Sequence, residues 1–177
     1  MKKRNTLFSL WGFAVTSLLG TILHFLYEWT NQSPLIAPFS AVNESTWEHM
    51  KLLFFPMFLF AIVQSFFYKN EPNFWCIKLK GTLIGLSLIP IIFYTYNGVI
   101  GKSPDWINIS IFFIAAAIAY ICETKQLNNI NSTCKHPKIA LLILCIIALL
   151  FVLFTFRTPT LNIFKDPITN TYGVVKK

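Results

Sequence analysis

The stretch Lys138–Phe156, KIALLILCIIALLFVLFTF, carries no charge after its first residue and a single hydroxyl near its end. A helix of about 20 apolar residues spans the roughly 30 Å hydrocarbon core of a bilayer, so this segment reads as a membrane helix. The rest of the chain agrees with it. Of 177 residues, 55% are hydrophobic and only 12% charged, and the mean hydropathy is +0.58. That leaves too little polar surface for a soluble domain of this length.

Four more apolar blocks precede this one. The expected helices are about 7–29, 43–68, 74–97, 105–124 and 138–156. The fold class is therefore all-α: a polytopic membrane protein, a five-transmembrane-helix bundle with a non-helical C-terminal tail. Residues 1–156 form a single bundle domain, and 157–177 an extracytoplasmic tail docked on the outer face. The opening Met-Lys-Lys-Arg resembles the start of a signal peptide, but the block after it is long enough to span and no small-x-small cleavage site follows. Ser45, with Glu48 three residues on, matches a capping box for the second helix, with a start at Ser40 as the alternative. Pro56 is expected to kink that helix and Pro90 to interrupt the third. Gly81 and Gly85 form a small-xxx-small pair suited to close packing.

Five spans put the two ends on opposite sides. With the N-terminus inside, the inner side holds nine basic residues: Lys2, Lys3, Arg4, Lys69, Lys78, Lys80, Lys125, Lys135 and Lys138. The outer side holds six: Lys51, Lys102, Arg157, Lys165, Lys176 and Lys177, four of them in the tail. Basic residues favour cytoplasmic loops, so the N-terminus is expected in the cytoplasm and the C-terminus outside the cell membrane. The net charge of +8 then belongs to lipid head groups. No basic stripe with interleaved aromatics lies on a soluble face, which excludes nucleic acid as a partner. Cys76, Cys122, Cys134 and Cys145 fall on the cytoplasmic half with no CxxC pair, so free thiols are expected.

On this topology most acidic residues gather on the outer side. His24 and Glu28 are four apart and share one face of the first helix, with His24 some residues inside the apolar block. An ionisable residue at that depth is costly and points to function. In the second helix Glu44, Glu48 and Lys51 fall within roughly 60° of arc, while His49 points roughly 100° away from Glu48. His24 and Glu28 are candidate ligands for a divalent metal such as Zn. Glu44, Glu48, His49 and Lys51 are candidate catalytic residues, a carboxylate accepting the proton of a metal-bound water. A charged helix start is the competing explanation for Glu44, Glu48 and Lys51. There is no HExxH, GxSxG or phosphate-binding loop. In the tail, Asp166-Pro167 with Thr169, Asn170 and Gly173 is turn chemistry, and Leu161, Ile163, Phe164 and Tyr172 are apolar enough to dock it over the acidic cluster.

The stretch NESTWEHMKLLFFP (43–56), preceded by HFLYEW, and the tail segment FKDPITNTYG together resemble an uncharacterised family of small bacterial integral-membrane proteins. The motifs are NES-x-WEH-x-K and DP-x-T-x-x-YG, with Asn170 where Gly is more usual. The resemblance implies a membrane protein of unknown activity. A looser likeness is to membrane hydrolases that hold a metal with His and acidic groups near one membrane face. Three functions fit the residues: a metal-dependent intramembrane hydrolase acting on a lipid-like substrate, a binding or transport protein for a cation or amine, and an accessory subunit whose polar cluster fixes packing. A five-helix carrier without repeats would need a homo-oligomer.

Overall fold

The computed structural model describes residues 2–129 and 133–174; Lys176 and Lys177 of the charge count lie outside them. Its helices are α1 (Lys2–Trp29), α2 (Thr46–Ser65), α3 (Phe74–Val99), α4 (Asp105–Leu127) and α5 (Pro137–Phe156), followed by one 3-10 turn at Asn162–Phe164. All five helices are long and apolar enough to cross a membrane. Among the described residues the one strand-like feature is a bridge between Lys165 and Tyr172. The protein is a multi-pass, all-helical membrane protein.

The central helix is α2. Half of its apolar window is buried, against 22% for α1 and for α5, and it packs against each of the other four. Leu53, Phe54 and Met57 of α2 meet Leu86 and Ile89 of α3, Ala115 and Ala119 of α4 and Phe151 of α5. Lipid tails are as apolar as leucine, so helices in a bilayer associate through close fit at small residues. The α3–α4 contact is built this way. A Cβ at Gly85 would sit 2.9 Å from Leu53 Cδ2 and 3.2 Å from Ala119 Cβ.

Several boundaries differ from those read in the sequence. Helix α1 begins at Lys2, not near residue 7, because its polar first turn has partners. Asn5 Nδ2 donates to Leu127 O (3.2 Å) and Asn128 Oδ1 (2.8 Å), and Tyr68 Oη donates to Asn5 Oδ1 (2.7 Å). Helix α3 runs unbroken through Pro90, as α2 does through Pro56. Membrane helices tolerate such a proline where packed neighbours accommodate the turn that lacks its donor.

The cysteine expectation is corrected. Cys76, in the first turn of α3, is joined by a disulfide to Cys134 in the α4–α5 loop, with Cα atoms 6.1 Å apart; Cys122 and Cys145 are free. The two positions are 58 residues apart and meet only because α4 returns antiparallel beside α3. The same return creates a buried ion pair near that end. Lys78 Nζ lies 2.5 Å from Glu123 Oε2, with both side chains at most 4% exposed. The sequence reading set Lys78 and Glu123 on the inner side without pairing them.

Candidate metal centre

The opposite end of the bundle is shaped by the α1–α2 loop. Asn31 and Gln32 adopt left-handed backbone (φ 52° and 59°), which reverses the chain after α1. The loop then folds back along the last turns of α1. The Ser40 hydroxyl donates to Leu23 O and accepts from Tyr27 N (2.9 Å), and Ala41 N donates to Leu23 O (3.3 Å). Ser40, read as an alternative cap, thus clasps α1 instead. The cap of α2 is Ser45, whose Oγ accepts from Glu48 N (3.4 Å). The reciprocal half of a capping box is missing, because Ser45 N donates to Asn43 Oδ1 (2.9 Å).

The Glu48 side chain goes elsewhere. Glu48 Oε2 accepts from Val42 N (3.1 Å) and pairs with Lys51 Nζ at 2.5 Å. Lys51, wholly buried, also donates to Ala37 O (2.8 Å) and Thr155 Oγ1 (3.1 Å). This pair ties the loop to α2 and α5. Its donors and acceptors are turned inward onto the protein, and neither residue joins the group described next.

That group is His24, Glu44 and His49, whose ligand atoms all lie within 4.8 Å of one another. His24 Nε2 is 3.7 Å from Glu44 Oε1, and His49 Nε2 is 3.6 Å from Glu44 Oε2. The imidazole centroids are 5.7 Å apart. The helical-wheel grouping of Glu44 with Glu48 and Lys51 does not hold. Helix α2 starts at Thr46, so a 100° step does not apply to Glu44. It sits in the loop and turns to His49, which the wheel had set apart. Glu28 is outside the group; it is exposed and lines an adjoining cleft with His24, Glu44 and Asp166.

Hydrogen bonding fixes the state of one ring. His49 Nδ1 is 3.0 Å from Ser45 O. A carbonyl only accepts, so Nδ1 carries the proton, and in the neutral ring Nε2 presents its lone pair towards Glu44. A lone pair and a carboxylate facing one another are satisfied by a bridging water, a second proton or a metal ion. A ring nitrogen bonded to a backbone carbonyl while the other meets a metal is the usual arrangement of metal-binding histidines. His24 is packed edge-on against Phe25 (centroids 4.8 Å apart), and its buried Nδ1 has no protein partner.

The tail closes this end. Phe164 packs on Trp47 (4.6 Å between centroids) and Phe154 (5.6 Å), and Asn43 Nδ2 donates to Gly173 O (3.1 Å). Asp166 is buried, its Oδ1 accepting from Ile168 N (2.7 Å) and Thr169 N (3.3 Å). Asn170 takes the left-handed conformation (φ 60°) that asparagine tolerates. The sequence reading set Asn97 on the outer side but missed Ser103 and Asn108, with which it forms a hydrogen-bonded relay at the edge of the site. Their Asn and Ser identities around Gly101 and Pro104 look like ordinary loop chemistry.

No curated protein and no solved structure matches the chain. A family model does: it covers residues 1–174, and the chain belongs to this family of unknown function (DUF6512).

Proposed function

We propose that this membrane protein holds a divalent metal such as zinc on His24, Glu44 and His49, and that it is a metal-dependent hydrolase acting on a lipid-like substrate. The observation that carries the reading is the convergence of two imidazoles on one carboxylate within 4.8 Å, with the His49 lone pair turned inward. Tetrahedral zinc with ligands at about 2.0–2.1 Å sets those ligands roughly 3.3–3.4 Å apart, so the two His–Glu44 separations of 3.6 and 3.7 Å are close to that spacing, and the three ligand atoms, within 4.8 Å of one another, would draw together on an ion. Two histidines and one glutamate leave a fourth position open, the composition of catalytic zinc sites. A metal held there would lower the pKa of a bound water and so make a nucleophile available. Glu48 is committed to Lys51, so the proton acceptor falls to Asp166 or Glu28, the carboxylates lining the cleft beside Glu44.

The basic-residue excess supports a cytoplasmic N-terminus and an extracytoplasmic metal site. The disulfide at the amino end pulls the other way, since disulfides persist in oxidising compartments. Elemental analysis of purified protein tests the site: one zinc per chain is expected, removed by His49→Ala. Failure to bind any common divalent ion stoichiometrically would overturn it. Stoichiometric metal with no hydrolysis of any lipid ester or amide would favour the cation-binding reading, which the acidic cleft of Glu28, Glu44 and Asp166 supports.

A further inference from the structure

An apolar groove runs between α1 and α4 and ends at the metal centre. Gly20 and Thr21 form one wall, Ile109 and Phe113 the other, and His24 and His49 close its inner end. Phe25 and Ile109 at its sides are 42% and 57% exposed, so it lies on the lipid-facing surface. On the other side of His49 is a second, more polar cleft bounded by Asn97, Lys102 and Asp105 and by Pro167 of the tail. Asn108 and His49 line both.

The relay at the edge of the site fixes how Asn108 faces. Ser103 N donates to Asn97 Oδ1 (2.9 Å), so the Asn97 NH2 is the group that donates to Ser103 Oγ (3.2 Å). The Ser103 hydroxyl donates to Asn108 Oδ1 (2.7 Å). The Asn108 NH2 is left over, and among the described residues it has no protein acceptor. A donor is therefore available where an apolar groove, a polar cleft and the metal centre meet.

Resting on the metal-hydrolase reading, we infer that the substrate is a membrane lipid with an acyl ester or amide at its head–chain junction, and that Asn108 donates to the scissile carbonyl oxygen. The acyl chain lies in the α1–α4 groove, and the head group lies in the polar cleft. Hydrolysis adds the water oxygen to the carbonyl carbon and breaks the bond to the head-group oxygen or nitrogen. The leaving group departs with one proton, the acid is released as carboxylate, and its proton passes to solvent. The Asn108 donor counters the negative charge that grows on the carbonyl oxygen.

The probes are dodecanohydroxamic acid, which joins a metal-chelating head to an acyl chain, and acetohydroxamic acid, which has the head alone. Both are titrated against cobalt-loaded protein in detergent, followed by the cobalt absorption spectrum. The Trp ring would occupy the space of the acyl chain, so Thr21→Trp is expected to weaken the long probe about tenfold or more. It leaves the short probe and the spectrum unchanged. Leu18→Trp, on the lipid face and off the groove, leaves both probes unchanged and cancels detergent partitioning. Asn108→Leu weakens both probes about three- to tenfold, the worth of one hydrogen bond. Equal long-probe affinity in wild type and Thr21→Trp overturns the groove assignment, and equal short-probe affinity in Asn108→Leu overturns the donor; in either case the metal site stands. Failure of wild type to bind cobalt sinks the metal reading and this inference together.

Discussion

The Lys51 ammonium lies 2.8 Å from the carbonyl oxygen of Ala37, fourteen residues earlier, and this contact holds the α1–α2 loop against the bundle. It separates an anchor, Glu48 with Lys51, from a centre, His24 with Glu44 and His49, although all but His24 lie within eight residues of sequence. The two groups should respond differently to substitution.

Lys51→Met leaves the Glu48 carboxylate buried without its partner. Such a loss costs about 3–5 kcal/mol, whereas replacing both members of a buried pair by neutral side chains is often tolerated. Thermal unfolding in detergent should therefore show a large drop for Lys51→Met and substantial recovery in the Glu48→Gln/Lys51→Met double variant. A Lys51→Met protein as stable as wild type would refute the anchor.

His24→Ala, Glu44→Gln and His49→Ala should each weaken metal binding by more than the 10–100-fold that follows loss of an outer-shell partner. Because these side chains are partly exposed, metal-free stability should move by about 1 kcal/mol or less. Glu28→Gln should bind metal normally. Isothermal titration of the metal-free proteins separates the outcomes, and undiminished affinity in Glu44→Gln would exclude it as a ligand.

Thiol counting tests the Cys76–Cys134 bond. Alkylation of unfolded, unreduced protein should modify only Cys122 and Cys145, and the Cys76→Ser/Cys134→Ser variant should lose about 2–4 kcal/mol of stability. Four modified thiols would show that the bond is absent. Gln32→Cys in the α1–α2 loop, probed in intact cells with a membrane-impermeant maleimide, reports the side: labelling places the metal centre outside, and protection places it in the cytoplasm.

The tail should matter to the centre without supplying a metal ligand. Phe164→Ala removes a ring from between Trp47 and Phe154, a truncation that costs about 3–5 kcal/mol in a packed core. Here the expected result is detachment of the tail, read as proteolysis near residue 160, with the helices intact by circular dichroism. A tail that stays protected would indicate that the Asn43–Gly173 bond alone secures it.

The helices were readable because uninterrupted apolar blocks signal membrane spans whatever their neighbours do. Glu44 was misplaced for a local reason: helical geometry was extended two residues before Thr46, where the backbone is not yet helical. Its partner His24 was recognisable as a costly, deeply placed group and His49 as a candidate at the start of the second helix, but their meeting depends on Ser40 clasping Leu23, a loop contact with no sequence period. The Asn97–Ser103–Asn108 relay was hidden for the same reason. Cys76–Cys134 and Lys78–Glu123 both arise from the antiparallel return of α4 along α3, and nothing in either segment alone points to the other.

The Lys78–Glu123 pair bears on how the chain enters the bilayer. A charged residue well inside a membrane helix costs about 2.5–3.5 kcal/mol on insertion scales, less near an end. Helix α3 alone would carry Lys78 into lipid, and α4 alone would carry Glu123. Joined at 2.5 Å, the two charges neutralise one another, with Gly81 leaving room for the Glu123 side chain. The energetically sensible unit of insertion is thus the α3–α4 hairpin, delivered to the membrane as a pair.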